Sequence, residues 1–89
     1  MVALQLRSGW ADDSLYLGRI AEEEEELQRA VAQYMKVERG EDFYSANNRI
    51  GQILIRANKS AEFHAYMVQL RNKNPNKRAQ LYALEVDLL

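Results

Sequence analysis

The sequence predicts an all-α fold, and three observations support that prediction. Apolar residues recur at steps of three and four along most of the 89 residues, which is the spacing of amphipathic helices. Glycine, asparagine and serine, which end or cap helices, fall between these segments. The single proline, Pro75, lies in a polar, asparagine-rich stretch typical of a loop. The prediction is one domain, residues 1–89, of about four helices: a long N-terminal helix packed by a helical hairpin and a C-terminal helix.

The long N-terminal helix is predicted at about residues 14–38. It contains no proline, follows two aspartates and ends before Gly40, which can adopt the left-handed conformation that closes a helix. Its apolar residues have heptad-like spacing, which favours contact with a partner helix. This seam consists of Leu17, Ile20, Leu27, Val31 and Tyr34.

Five consecutive glutamates, Glu22–Glu26, lie inside this predicted helix. Glutamate is a good helix former, so the run is interpreted as a solvated helical face. The alternative is an acidic docking face for a basic partner. Because the five side chains point around the helix, they do not converge on a metal ion.

Residues 1–12 precede this helix and are interpreted as an extended or partly disordered arm. Alternation of apolar and polar residues indicates extended backbone, and a lone strand has no sheet to join. Trp10, the only tryptophan, is either a core residue at the start of the helix or an anchor for a partner.

Three further helices are predicted after Gly40. The first spans about residues 42–57 and ends at Asn58, which tolerates the left-handed conformation. The second spans about residues 61–72, with Ser60 as its cap. The third starts at Pro75, with Asn74 as its cap, and runs toward the C-terminus.

One segment, residues 44–77, resembles a tetratricopeptide repeat (TPR), a family that pairs two helices in about 34 residues. Ile50, Gly51, Leu54, Met67 and Pro75 stand at matching spacings. The segment departs from the pattern at two positions: Asn47 where the family prefers a large aromatic, and Phe63 where it prefers alanine. One such unit cannot bury itself as a solenoid does, so the segment is interpreted as a helical hairpin of similar spacing.

Composition excludes several classes of protein. With 47% hydrophobic and 28% charged residues, the chain is expected to fold. It has no cysteine, so disulfides and thiolate chemistry are excluded. It has no long apolar run, so we expect a cytoplasmic protein without membrane contact. Its one histidine, His64, has no acid one helical turn away, and its four glycines are scattered. We therefore expect neither enzymatic activity nor a cofactor or metal.

The net charge is −1, but the charge is distributed unevenly. Residues up to Ser45 hold ten acidic and five basic side chains, whereas residues from Ala46 on hold three acidic and seven basic ones. Basic side chains and asparagines can contact phosphates, so a small nucleic-acid-binding regulator is the alternative function. The residues for such a contact, or for an acidic partner, are Arg49, Arg56, Lys59, Arg71, Lys73, Lys77 and Arg78.

The preferred function is that of a small, non-catalytic protein-interaction or regulatory protein. A long amphipathic helix in a short chain exposes apolar surface unless a second copy or another partner covers it. We therefore expect a protein partner, with self-association of two copies through the long helix. The predicted interface residues are Leu27, Val31, Tyr34, Met35 and Trp10.

Overall fold

The computed structural model describes residues 11–89, with side chains from Ser14 onward. Within these residues the fold is all-α, as predicted, with five α-helices and no strand. The helices are α1 (Ala11–Glu23), α2 (Leu27–Tyr34), α3 (Gly40–Arg56), α4 (Ser60–Lys73) and α5 (Arg78–Leu88), with a short 3₁₀ helix (Pro75–Lys77) before α5. None of the described helices is both long and apolar enough to cross a bilayer.

Contacts group the chain into two units, the first ending at Asn47 and the second running from Asn48 to Leu89. The first unit contains α1, α2 and the first half of α3. The second contains the second half of α3 together with α4, the 3₁₀ helix and α5. The single helix α3 therefore contributes to both units, each of which has its own buried side chains.

The predicted long helix over residues 14–38 is wrong, because the chain turns sharply at residues 24–26. Glu25 is left-handed, with a φ of 62°. The amide of Glu26 donates to the carbonyl of Ala21 at 2.9 Å, and that of Glu25 donates to the carbonyl of Glu22 at 3.0 Å. This pair of bonds is the Schellman motif, which closes a helix by satisfying its last carbonyls.

The physical reason for the break is the composition of the glutamate run. Like charges one turn apart weaken a helix by a few tenths of a kcal/mol, and no apolar side chain in the run binds it to another helix. The turn instead lets α2 fold back onto α1, which buries Ala21, Ala30 and Tyr34 almost completely. Burial of a large side chain contributes roughly 1.5–3 kcal/mol, which exceeds the cost of one left-handed glutamate.

Gly18 makes the close approach of α1 and α2 possible. A Cβ atom on Gly18 would lie 2.5 Å from Cε1 of Tyr34, so the tyrosine ring rests directly on the backbone of α1. The Tyr34 hydroxyl donates to Oε1 of Glu22 at 2.7 Å. The ring is thus held by packing and by a hydrogen bond to the same helix.

Helix α3 begins at Gly40, which is left-handed with a φ of 59°. This conformation was expected, but it occurs at the start of α3 and not at the end of the preceding helix, which stops at Tyr34. Further along α3, Asn47 is 1% exposed, and its Nδ2 donates to the carbonyl of Phe43 at 2.8 Å. That bond explains how an amide is tolerated where the TPR pattern has a large aromatic ring.

The turn between α3 and α4 repeats the geometry of the first turn. Asn58 is left-handed, as predicted, with a φ of 67°. The amide of Lys59 donates to the carbonyl of Leu54 at 2.8 Å, and that of Asn58 to the carbonyl of Ile55 at 3.0 Å. Helix α4 starts at Ser60 with Lys59 at the cap position and no side-chain cap, so the predicted Ser60 cap is wrong. The backbone hydrogen bonds of the preceding turn lead the chain into α4 without a side-chain cap.

The core of the second unit is formed along α3 and α4. Ile50 and Ile53 of α3 and Phe63 and Met67 of α4 are buried. Leu54 is half-buried and Ala57 is exposed. Ala57 follows the last residue of α3, where the chain already turns away from the helix axis.

Pro75 begins a 3₁₀ helix, whereas an α-helix was predicted to start there. The predicted cap residue Asn74 makes no cap bond; its Nδ2 donates instead to the carbonyl of Leu70, at 2.9 Å, and so closes α4. Helix α5 follows from Arg78 and packs on α3 through Leu88, whose methyl group lies directly over Gly51.

The two hairpins are related by a shift of 33 residues along the sequence. Gly18 and Gly51 both lie under an aromatic ring from the following helix, Tyr34 in the first hairpin and Phe63 in the second, although the two rings are 29 residues apart and do not follow the shift. The left-handed residues Glu25 and Asn58 are separated by the same 33 residues. An internal repeat of this length is the signature of stacked helical hairpins.

Candidate functional site

The surface of α5 divides into a buried side and an exposed apolar side. Leu81 and Glu85 are 0% and 3% exposed. Tyr82, Val86 and Leu89 are 59%, 57% and 71% exposed. Tyr82 and Val86 are one turn apart on the same face of α5, and Leu89, which directly follows the last residue of α5, continues their spacing. We call this face the α5 stripe.

Glu85 occupies the buried side of α5 and is hydrogen-bonded by two side chains of α4. Arg71 donates from Nη1 to Oε1 at 2.6 Å, and His64 donates from Nδ1 to Oε2 at 2.6 Å. The side chains of Glu85 and Arg71 are 4% and 14% exposed, whereas that of His64 is 62% exposed. The Glu85–Arg71 bridge is therefore the buried contact, and His64 covers it from the solvent side.

The pKa of Glu85 shows which influence dominates at this position. Burial raises the pKa, but the hydrogen bonds from Arg71 and His64, together with their positive charge, lower it more. The net pKa lies below the ordinary value for glutamate, so the carboxylate is ionised at neutral pH. Such a carboxylate is a poor proton donor or acceptor near pH 7, which favours a structural role.

Arg71 connects the buried bridge to the exposed stripe. Its guanidinium carbon lies 5.2 Å from the centre of the Tyr82 ring, within the range of a cation–π contact. Arg71, which is bound by Glu85, therefore also contacts one aromatic side chain of the α5 stripe.

Among the side chains that the structure describes, residues 14–89, no three histidine or acidic groups converge as metal ligands would. Burial raises the pKa of Tyr66 to about 12, so its hydroxyl stays protonated at neutral pH and is a weak nucleophile. The site offers apolar contact, positive charge and one oriented aromatic ring, which are properties of a binding surface.

Of the predicted interface residues that the structure describes, three keep exposed surface and one is fully buried. Leu27 and Met35 are 42% and 47% exposed, and Val31 is half-buried. Tyr34 is 0% exposed because its ring packs on Gly18, so it has no surface to offer a partner. Trp10 lies outside the described residues.

The predicted basic residues all belong to the second unit but have different roles. Arg56, Lys59, Lys73 and Arg78 are exposed, and Lys77 is half-buried. Arg49 is half-buried and donates to Oε1 of Gln52 at 3.1 Å. Arg71 is committed to Glu85, so its charge is largely neutralised within the chain.

Sequence reasoning missed Glu85, although a signal was present. Glu85 lies between Leu84 and Leu88, on the apolar side of the predicted last helix. A charged residue in such a position requires a buried partner. His64 has no acid one helical turn away in its own helix, and the structure shows that Glu85 of α5 is its partner.

Comparison with known proteins gives one informative match. No family model matches the chain, and no solved structure matches it. The chain is similar to a curated TPR repeat-containing protein of Pseudomonas aeruginosa, with 34% identity over 73 residues, or 82% of this chain. The chain spans only 12% of that protein's length. The matched stretch exceeds the roughly 34 residues of one TPR unit, so it includes more than the segment that resembles the TPR pattern in sequence.

Proposed function

We propose that this chain is a non-catalytic protein-binding module built from TPR-like helical hairpins. The observation that carries the proposal is the 33-residue repeat, in which each hairpin has a glycine packed closely against the following helix and turns through a left-handed residue. Similarity to a TPR repeat-containing protein supports it. Modules of stacked hairpins commonly present their surfaces to other proteins. By occupying a partner's surface, such a module would regulate that partner.

The α5 stripe is the surface that we propose for binding. Its three side chains are more exposed than the other large apolar side chains of the described residues, and exposed contiguous apolar surface marks interaction sites. Arg78 precedes Tyr82 by one helical turn, and the sequence from Asn48 on has a net charge of +4. A partner that offers apolar side chains beside acidic ones fits this chemistry.

The proposal can be tested with a peptide library displayed on phage and panned against the immobilised chain. We expect the selected peptides to combine apolar and acidic residues. Their affinity for the Val86→Asp variant should be lower by about thirtyfold or more, which is the effect of removing a binding hot spot. Val68→Asp is the matched control, because Val68 is an exposed valine of α4, outside the stripe. Failure to select any peptide, or equal binding to both variants, would contradict the proposal.

A nucleic-acid-binding function is the second candidate, and the positive charge of the second unit favours it. Arg71 weakens this candidate, because its guanidinium is bound to Glu85. The test is the binding of duplex DNA measured by fluorescence anisotropy at several salt concentrations. A steep loss of affinity with salt, abolished by charge reversal at Lys73 and Arg78, would support it. Weak binding that these substitutions leave unchanged would exclude it.

A further inference from the structure

The first unit has an apolar face of its own, formed between α1 and α2. A cleft of 290 Å³ opens there, lined by Leu17, Ile20, Ala21, Glu24, Arg29 and Gln33. Leu17 is 43% exposed and Ile20 is half-buried, although both belong to the apolar seam of α1. We call this surface the α1–α2 face.

We propose that the α1–α2 face of one copy binds the α5 stripe of a second copy, in a head-to-tail contact. The inference rests on the proposed function, since it names the partner of the α5 stripe. The cleft offers an apolar recess, and the stripe offers apolar side chains that project from a helix. Helical hairpins of this spacing bury their apolar faces by stacking further helices on them, and a second copy supplies such a helix.

Charge complementarity identifies the second copy as the occupant. The sequence up to Asn47 carries a net charge of −5, and the sequence from Asn48 on carries +4. The same contrast is present at the two faces. Glu24 lines the cleft, with Glu23 beside it. The one basic residue of the lining, Arg29, is paired with Glu26 at 2.9 Å. Arg78, in contrast, lies one helical turn before Tyr82 at the edge of the α5 stripe. Complementary potentials of this kind orient two proteins and accelerate their encounter.

The same charges argue against contacts between like faces. Two α5 stripes in contact would bring together two copies of Arg78, and two α1–α2 faces would bring together two sets of glutamates. Juxtaposed like charges destabilise an interface. A head-to-tail contact avoids both, and association through it increases with protein concentration.

The decisive experiment uses two variants, Leu17→Asp on the α1–α2 face and Val86→Asp on the α5 stripe. Sedimentation velocity should show concentration-dependent assembly of the unmodified chain, weakened by salt. Each variant alone should remain monomeric, with association weakened about thirtyfold or more. An equimolar mixture should form a dimer, because one intact face remains on each partner. Tyr16→Asp is the control, since Tyr16 is 49% exposed on α1 but is not part of the cleft lining.

Each other outcome overturns the head-to-tail contact. If Val86→Asp abolishes assembly while Leu17→Asp does not, the α5 stripes bind each other. If the chain is monomeric at all concentrations but still binds the selected peptides, the proposed function stands and the second copy is the wrong partner. If Tyr16→Asp is as disruptive as Leu17→Asp, the α1–α2 face is not the contact. Far-UV circular dichroism and urea midpoints establish that each variant is folded.

Discussion

Glu25 adopts a backbone conformation that is unfavourable for a residue with a glutamate side chain. It is left-handed, with a φ of 62°, and a residue other than glycine or asparagine costs roughly 1–2 kcal/mol in that region. Glu25→Gly removes this strain but adds freedom to the unfolded chain. We expect a net gain of about 1 kcal/mol in the free energy of unfolding, measured by urea denaturation. Glu24→Gly is the control and should be neutral or destabilising, because Glu24 is not left-handed.

Arg71 is the residue whose loss should be most costly in the Glu85 network. Arg71→Ala leaves a carboxylate whose side chain is 4% exposed without its main partner, which costs about 3 kcal/mol or more. His64→Ala should cost less than about 1 kcal/mol, because the His64 side chain is 62% exposed. Urea denaturation measures both.

A double variant separates the loss of a bridge from the loss of packing. Replacing both partners with apolar residues, Arg71→Met with Glu85→Leu, removes the unpaired charge and should recover most of the stability lost in Arg71→Ala. A double variant as unstable as Arg71→Ala alone would mean that packing around the bridge, and not the unpaired carboxylate, determines the cost.

The pH dependence of stability follows from the depressed pKa of Glu85. Its pKa is lower in the folded chain than in the unfolded chain, so the bridge stabilises the fold above the unfolded value, about 4.3. This contribution is lost as the pH falls through the lower, folded pKa. We expect the urea midpoint to fall more steeply below about pH 4 in the unmodified chain than in Glu85→Gln. Parallel curves for the two proteins would contradict this assignment.

At the scale of the helices, Gly18 and Gly51 determine how closely each hairpin packs. Alanine is favoured over glycine in a helix by about 1 kcal/mol. A Cβ atom on Gly18 would lie 2.5 Å from the buried Tyr34 ring, and one on Gly51 would lie 2.7 Å from Cζ of Phe63. Because overpacking costs roughly 1–3 kcal/mol and these approaches are severe, we expect both alanine variants to be destabilised by about 2 kcal/mol.

A double-mutant cycle tests the cause of this destabilisation. Tyr34→Leu removes the ring that a Cβ atom on Gly18 would meet, so Gly18→Ala should cost less in the Tyr34→Leu background. Gly40→Ala is the contrasting case. No neighbour lies within 4 Å of a Cβ atom there, so its expected loss of about 1–2 kcal/mol comes from the left-handed backbone alone. Additive effects of Gly18→Ala and Tyr34→Leu would exclude the steric explanation.

The helices also show what could be predicted from the sequence and what could not. Asn58 was correctly predicted as a left-handed turn, because asparagine favours that conformation. Glu25 makes the same turn, but a glutamate in a run of five glutamates is typical of a helix. Only tertiary packing of Tyr34 on Gly18 compensates for that local preference. The 33-residue spacing of Gly18 and Gly51 is present in the sequence. It was missed because residues 14–38 were interpreted as one long helix, so the first hairpin was not recognised.

The same limit applies to the candidate site. The apolar residues of the last helix were visible in the sequence, but the sequence did not show that Tyr82 would be exposed while Leu84 would be half-buried. The difference arises from Leu81, Glu85 and Leu88, which point toward α3 and α4. The partners of Glu85 on this buried side of α5, Arg71 and His64, lie 14 and 21 residues away in the sequence. Periodicity within one helix carries no information about such distant contacts.

At the scale of the whole molecule, α3 determines how the chain unfolds. The boundary between the two units, at Asn47 and Asn48, falls within this continuous helix of 17 residues. If either unit unfolded alone, the helix α3 would be interrupted at the boundary between the units, and the buried side chains of the unfolded unit would become exposed. Because an isolated helix of about ten residues is marginal in water, neither half of α3 is expected to persist without its unit.

We therefore expect one cooperative transition in urea, with a slope of about 1 kcal/mol per molar urea for a chain of this size. Gly18→Ala in the first unit and Gly51→Ala in the second should both shift the midpoint while leaving a single transition. Segment-resolved hydrogen exchange by mass spectrometry provides the check, because both substitutions should increase exchange in α2 and in α4 alike. A biphasic curve for Gly18→Ala, with faster exchange confined to α1 and α2, would show that the units unfold independently in spite of the helix that they share.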